Sequence, residues 1–410
     1  MTQAGTRGEG PVTDHTPLSQ LTTMRVGGPA HRILTAETRD ELIARATELW
    51  RDGEPWLLLG GGSNTVVHDD GYPGPVLLVR SSGIERIDDP EVAPGHVRIR
   101  VAAGEDWDGL VATAVSRGWA GIEALSGIPG RVGAAPVQNI GAYGQELSDV
   151  LHSIEFLDAY AEEPRRLSAA ELELGYRDSV IKQGREGVVL SIDLVLATAG
   201  GSSPQRGRHG APSDADADAD ADVAAPVAPV RYGQLATALG VDPGTEIPIQ
   251  VMRDAVLRLR AAKGMVLDPA DHDTWSCGSF FTNPIVTERF ANSLPEDAPR
   301  FPMGAVDQPD TVISLADVAA GAEIVAPRPA PERMVKLSAA WLIDHAGVSK
   351  GFRLPGSGAA VSSKHTLAIT NRGGATAAQV AELARLIVQR VQQEFGVILV
   401  PEPNLYGLEL

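Results

Sequence analysis

Cysteine is nearly absent: Cys277 is the only one in 410 residues. That excludes an intramolecular disulfide and any cysteine-rich zinc site. Long apolar runs are missing too, and no stretch reaches the roughly 20 residues that span a bilayer. Basic charge is scarce. The chain has 35 Lys and Arg against 53 Asp and Glu, a net charge of −18. Such a chain lacks the basic footprint of a general nucleic-acid binder and has no electrostatic reason to lie on an anionic membrane. A small anion held by a few local arginines remains open. The first residues, MTQAGTRGEGPVTDH, have neither the basic region nor the apolar stretch of a secretory leader. No metal site and no obligate protein partner is evident, and a soluble cytoplasmic protein is expected.

What is present is ordinary for a globular protein: 43% apolar and 21% charged residues. The length suggests two or three domains. Residues 1–17 read as a flexible tail. From Leu18 to about residue 199 helical and strand patterns alternate. "TRDELIARATELWRDG" predicts a helix with a Thr38/Glu41 capping box, Leu42, Ala46 and Leu49 on one face and Gly53 as the stop. "PWLLLG" predicts a buried strand, "VRIRVAAGE" a strand followed by a helix, and "VVLSIDLVLA" a further strand. Residues 200–229, with their Asp-Ala repeats, cannot bury enough apolar surface to offset ordering and read as a disordered acidic insertion. They lack the glycine and glutamate of a calcium loop. Beyond them, a unit over 230–410 carries helices at "TEIPIQVMRDAVLRLRAAKG", "SAAWLIDHAG" and "TAAQVAELARLIVQRVQQEFG". In the last of these Thr376 and Gln379 form the cap. An irregular insertion is expected over about 295–335, and a short strand at "VILVPEP".

Two glycine-rich segments stand out. "LLLGGGSNTVV" puts Gly60, Gly61, Gly62, Ser63 and Asn64 straight after an apolar strand, where close-set backbone N–H groups form an anion nest. A P-loop is excluded by the missing Gly-Lys-Ser/Thr, and a dinucleotide fingerprint by a strand-like Thr65-Val66-Val67 where a helix would start. A plain hairpin turn is the other reading. "LSGIPGRVGAAPVQNIGAYG" (125–144) is too rich in Gly, Ala and Pro for a regular helix, and ordered loops of this length commonly line something. Gln138, Asn139 and Tyr143 offer uncharged donors and acceptors suited to the edge of a heterocycle. An irregular structural crossover is the alternative.

In order along the chain stand "LGGGSN", "SGIPGRVGAAPVQNIGAYG", "YRDS" (176–179), "GSFFTNP" (278–284), "AAWLID" (339–344) and "PEPNLYG" (401–407). In this order they resemble the UDP-N-acetylenolpyruvoylglucosamine reductase family, the flavin enzymes that complete UDP-N-acetylmuramate for peptidoglycan. The resemblance implies an α+β protein. Its FAD-binding region (18–199) is of the vanillyl-alcohol-oxidase (PCMH) type, made of two α+β subdomains, and a smaller α/β substrate-binding domain (230–410) follows. It implies non-covalent FAD, NADPH as hydride donor and a UDP-sugar substrate entering the same cleft after NADPH leaves. Gly60–Asn64 would cradle the FAD diphosphate. Gly127, Ile128, Pro129, Gly133, Gln138, Asn139, Gly141 and Ala142 would lie along the cofactor.

The residue roles follow from the same resemblance. Arg177 matches the arginine that binds the substrate carboxylate, and a guanidinium fork suits that job. Glu402 matches a second stabiliser of developing charge, which requires it to carry or share a proton. Ser279 matches the proton donor to the α-carbon. Tyr143, Tyr176, Tyr232, Lys263 and Asn283 match substrate-facing positions. Cys277 reads as packing. His365 stands where some members have glutamine; a substrate contact and a surface histidine are both open. Three other readings compete: an FAD-dependent sugar or alcohol oxidase of the same fold, a non-catalytic nucleotide-sugar sensor, and a hydrolase built on Ser279 or Cys277. The last lacks a Gly-x-Ser-x-Gly elbow.

Overall fold

The computed structural model describes residues 12–13, 16–198, 226–303 and 332–410. The Asp-Ala tract, most of the N-terminal tail and residues 304–331 of the second expected insertion lie outside the described residues. The first layer comprises β1 (Ala30–Ala36), α1 (Arg39–Asp52), β2 (Leu57–Leu59), β3 (Thr65–Val67) and β4 (Tyr72–Val79). β4 lies between β1 and β2 and runs parallel to both. α1 buries Leu42, Ala46 and Leu49 and stops at Gly53, φ +70°. Its capping box is only half made. Thr38 Oγ1 accepts from the Glu41 N–H at 3.2 Å, but the Glu41 carboxylate turns one residue further out and accepts from the Glu37 N–H at 2.8 Å. β2 is shorter and less buried than expected, because Leu58 points away from the core and lines the cavity described below.

The second layer is a five-stranded antiparallel sheet in the order β10-β9-β11-β6-β5. Its elements are β5 (Ile84–Ile87), β6 (His96–Ala102), α2 (Trp107–Ser116), the small hairpin β7 (Gly141–Ala142) and β8 (Gln145–Glu146), β9 (Leu151–Asp158), β10 (Arg165–Ser168) and β11 (Gly187–Ala197). β6 shows why a sheet forms here: Val97, Ile99 and Val101 alternate into the core.

The next segment corrects two expectations. β12 (Val227–Pro229) falls inside the stretch read as insertion, yet it pairs antiparallel with β13 (Glu246–Pro248), and Ala228 is buried. After α3 (Gly233–Leu239), α4 (Ile249–Ala262) starts only behind Pro248. The residue before a proline is pushed out of the helical region, so the helix cannot extend back to Thr245. Val230, Leu235, Met252 and Val256 share a core with β6, β9 and β11. The cores therefore divide after α4, later than the expected boundary at 229/230.

The last unit contains β14 (Ile285–Thr287), α5 (Glu288–Ala291), β15 (Arg300–Pro302), β16 (Met334–Leu337), α6 (Ala339–His345), β17 (Ala359–Val361), β18 (Ile369–Asn371), α7 (Ala377–Phe395) and β19 (Asn404–Tyr406). β15 and β16 pair with each other, so the flanks of the 295–335 stretch are ordered strands rather than irregular chain. α7 has the full capping box between Thr376 and Gln379 and ends at Gly396. The strand expected at "VILVPEP" does not form, because Pro401 and Pro403 withhold the N–H groups a ladder needs. The strand begins at Asn404 instead, and β19 pairs in parallel with β3. Met24, Val26 and Val66 join the core of this last unit, beside Phe280, Phe281 and Val380. The first and last parts of the chain are thus packed together, and the cavity lies along their junction.

Candidate active site

A cavity of about 570 Å³ draws its wall from the β2–β3 turn, the 125–144 loop, the turn at 176–182, α4, the segment 277–279 and the approach to β19. Gly60, Gly61, Gly62, Ser63 and Asn64 all line it. Among the described residues, the backbone N–H groups of Gly61, Gly62 and Ser63 donate to no protein acceptor. Gly62 has φ +60°, and a Cβ there would meet the Leu21 carbonyl oxygen at 2.2 Å. A Cβ on Gly61 would sit 2.7 Å from the Gly130 Cα, so the two glycine-rich loops touch backbone to backbone. The Arg80 guanidinium donates to the Gly60 carbonyl at 2.8 Å and fixes the start of the turn.

Along the second loop, Ile128, Pro129, Gly133, Gln138, Gly141, Ala142 and Tyr143 line the cavity. Gly127 and Asn139, also expected there, stand behind it. Gly127 donates its N–H to Asp108 at 2.6 Å and backs onto α4. Asn139 is buried at φ +46°; its amide donates to Glu146 at 2.9 Å and to the Gly175 carbonyl at 3.1 Å, and its oxygen accepts from the Ser148 N–H. It holds the loop's shape.

Arg177, Ser279 and Glu402 line one cavity. Arg177 has φ +54°, unusual for a residue with a Cβ. Its guanidinium donates to the carbonyls of Gly141 (2.8 Å) and Asn139 (3.3 Å), and its Nε lies 3.2 Å from Glu402 Oε1. Gln138 Nε2 donates to the same Glu402 oxygen at 3.2 Å. The Glu402 N–H donates to the Phe280 carbonyl at 2.9 Å, and its own carbonyl accepts from Asn64 Nδ2 at 3.2 Å. Glu402 therefore joins the nest, the second loop, the Arg177 turn and the serine segment. Burial pushes its carboxyl above the ordinary range, and Arg177, Lys182 and the Gln138 hydrogen bond offset only part of that. Ser279 follows Gly278, whose φ of +76° turns the chain, and precedes the fully buried Phe280.

Cys277 packs as expected. Burial pushes its thiol up to about 12, so it stays protonated at neutral pH. Lys263 Nζ donates to Gln234 Oε1 at 2.8 Å and lies 5.6 Å from the centre of the Tyr143 ring; Tyr143 meets Tyr232 edge-on at 5.8 Å. All four residues line the cavity. Two expected substrate residues do not. Asn283 Oδ1 accepts from the Ala339 N–H at 3.0 Å, at the start of α6. The Tyr176 ring lies 4.6 Å from Lys336 Nζ, outside the lining. The sequence reading passed over Arg260 and Lys182, which also line the cavity. Arg260 sits three residues before Lys263, on the same face of α4, and its buried Nε has no hydrogen-bond partner among the described residues.

His365 lines the cavity and is partly buried. Burial first, then Lys263 and Lys350, lowers its pKa from 6.5 to about 4. Folding therefore holds the imidazole neutral. Its contribution is fully present above pH 6.5 and is lost as the pH falls from 6.5 through about 4. His365→Gln is expected to flatten the acid side of the stability curve in that window. Urea unfolding at several pH values measures this; parallel curves for the two proteins would count against it.

Residues 30–163 match a family described as an FAD binding domain, and residues 268–406 match the UDP-N-acetylenolpyruvoylglucosamine reductase C-terminal domain. The chain is 54% identical over 399 residues to the UDP-N-acetylenolpyruvoylglucosamine reductase of Leifsonia xyli, covering 97% of this chain and all of that one. It is 43% identical to the enzyme of the same name from Thermobifida fusca, covering 96% of this chain and 98% of that one. Among solved structures it resembles the Thermus caldophilus enzyme with a TM-score of 0.55 and 26% identity, covering 95% and 97% of the two chains.

Proposed function

The chain belongs to the UDP-N-acetylenolpyruvoylglucosamine reductase family, and on that premise we propose that Arg177, Glu402 and Ser279 carry its reaction. The protein is an FAD-dependent oxidoreductase. It reduces the enolpyruvyl ether of UDP-N-acetylglucosamine to UDP-N-acetylmuramate with NADPH as the reductant, a step of peptidoglycan precursor synthesis. Its fold combines an FAD-binding region of the vanillyl-alcohol-oxidase type with the C-terminal domain of this family. Among the described residues no helix is long and apolar enough to cross a membrane. Our reading puts the reaction in the cytoplasm, with no obligate protein partner. It assigns the FAD-binding part to the chain through α4 and the substrate domain to the remainder.

The cavity fits FAD. Unpaired N–H groups at Gly61, Gly62 and Ser63 suit a diphosphate, and residues 128–142 would flank the ring system, held without a covalent bond. Hydride transfer from NADPH to the substrate double bond is the chemistry FAD supplies when bound. The chain's own residues do the rest. Hydride addition to the terminal carbon drives negative charge onto the α-carbon and its carboxylate. Arg177 meets that carboxylate with the guanidinium N–H groups its protein partners leave open. Glu402, whose burial favours the acid form, donates a hydrogen bond to the growing charge. Ser279 gives its hydroxyl proton to the α-carbon and recovers one from solvent, so the double bond gains one hydride and one proton. Lys263 and Tyr232, at the α4 side, serve the UDP portion.

The single observation that carries this reading is the Arg177–Glu402 contact at 3.2 Å in the cavity that Ser279 shares. The test is the visible spectrum of the purified protein. NADPH should bleach the flavin absorbance, and the enolpyruvyl sugar nucleotide should restore it without oxygen. A flavin that simple sugars reduce and oxygen reoxidises would support an oxidase. Gly61→Ala provides a check on the nest. With 2.7 Å between the new Cβ and Gly130 Cα, the two loops must separate. FAD binding should weaken at least about tenfold, ~1.4 kcal/mol, at the low end of what overpacking costs. Full retention of FAD in this variant would remove the nest from the reading.

A further inference from the structure

The turn that carries Arg177 contains two polar residues that the reaction itself does not use, Ser179 and Lys182. Ser179 is fully buried. Its hydroxyl donates to the Val137 carbonyl at 2.6 Å and accepts from the Lys182 N–H at 3.2 Å. Val137 directly precedes Gln138, whose amide holds Glu402. Lys182, an exposed side chain on the cavity rim, donates its ammonium to the Arg177 carbonyl at 2.8 Å. We propose that Ser179 and Lys182 are positioning residues that lock the left-handed Arg177 turn against the Val137–Gln138 end of the 3-10 helix in the second loop and so set the Arg177–Glu402 pair.

Backbone strain motivates the assignment. Arg177 at φ +54° occupies a region that disfavours any residue with a Cβ. Glycine would relieve the turn but would remove the guanidinium. The conformation therefore persists only if its surroundings over-determine it. The two hydrogen bonds from Lys182 and Ser179 act on that turn from both sides. Asp178 reinforces it by exchanging backbone hydrogen bonds with Gly175 and by accepting from Gln183 Nε2 at 2.8 Å. When Lys182 is removed, the Arg177 carbonyl loses its only side-chain donor among the described residues, and the turn is free to relax toward ordinary φ values. The guanidinium would then leave the Gly141 and Asn139 carbonyls that aim it.

This inference rests on the role proposed for Arg177, and the experiment separates the two. Lys182→Met is made in the parent and in an Arg177→Ala background, and the half-reactions are followed by stopped flow on the FAD-loaded enzyme. In the parent background, reoxidation of reduced flavin by the enolpyruvyl sugar should slow about tenfold at saturating substrate, while flavin reduction by NADPH stays within about twofold. In the Arg177→Ala background, Lys182→Met should add nothing, because residues that act as one unit are not additive. Lys182→Arg, which keeps the charged donor, should recover most of the rate. Ser179→Ala should mimic Lys182→Met with a larger loss, and because that site is buried its melting temperature is read alongside. A parent rate in Lys182→Met, an equal loss in both backgrounds or no recovery in Lys182→Arg would overturn the positioning role. Normal sugar reduction by Arg177→Ala alone would instead overturn the reading beneath it.

Discussion

Ser279→Ala is expected to keep its FAD and accept hydride from NADPH at the parent rate, yet reduce the enolpyruvyl sugar about 10²–10⁴-fold more slowly, the range that a positioned proton donor contributes. The separation follows from where the residue sits. Ser279 lines the cavity on the last unit's side, between the turn at Gly278 and the buried Phe280–Phe281 pair. The nest and the second loop are built from other segments, Gly60–Asn64 and residues 125–144. Removing one hydroxyl there disturbs neither loop. The reaction, however, needs a proton at the α-carbon as hydride arrives at its neighbour, and the charge otherwise collapses back. Ser279→Cys adds a second arm: a thiol is a better acid but a larger group, so partial activity is expected. Stopped-flow measurement of each half-reaction decides the matter. A normal second half-reaction in Ser279→Ala would assign the proton elsewhere.

The residue pattern alone carried part of this far. α1, α2, α6 and α7 have local signals, with caps, amphipathic spacing and a terminal glycine, and local signals survive folding. The order of six motifs identified Arg177, Ser279 and Glu402, which are 102 and 123 residues apart along the chain, and the fold brings them to one cavity. What stayed hidden was set by long-range pairing. Nothing in "VILVPEPNLYG" says that β19 joins β3, although that pairing is what carries Glu402 to the nest. Nothing in "APVRYG" announces that Val227–Pro229 pairs with Glu246–Pro248, because a three-residue strand has too few residues to show alternation. The hydrogen bond that Asn283 makes was hidden for a related reason. An asparagine beside a proline suits a ligand contact or a helix cap equally, and only the position of α6 resolves which N–H it serves. Arg260 was passed over because its spacing to Lys263 is informative only once α4 is known to face the cavity.

Glu402 is where charge and burial oppose each other most directly, and the second large effect belongs there. Glu402→Ala should slow sugar reduction by about 10²–10³, the usual consequence of losing one preorganised donor to a developing anion. Glu402→Gln keeps a donor and should recover part of that rate. The pH dependence distinguishes a proton-bearing acid from a fixed charge. Burial raises the carboxyl's pKa, so the acid form persists above the ordinary glutamate range. The donor is present below that raised pKa and is lost as the pH rises through it. The parent's rate of sugar reduction should therefore fall on the alkaline side, and the glutamine variant should lack that limb. Stability gives an independent sign. A carboxyl whose folded pKa lies above its unfolded one costs the fold stability as the pH rises between the two, and the cost remains at neutral pH. Glu402→Gln removes it, so its melting temperature at pH 7 to 8 should hold or rise while activity drops. A variant that loses activity and melting temperature together would point to a structural ion pair with Arg177. A glutamine variant that keeps the parent's alkaline limb would show that another group titrates there. Loss of rate with retained stability and a flattened profile is the combination that only an acid at position 402 produces, since a permanently charged carboxylate beside the growing anion would raise the barrier it is there to lower.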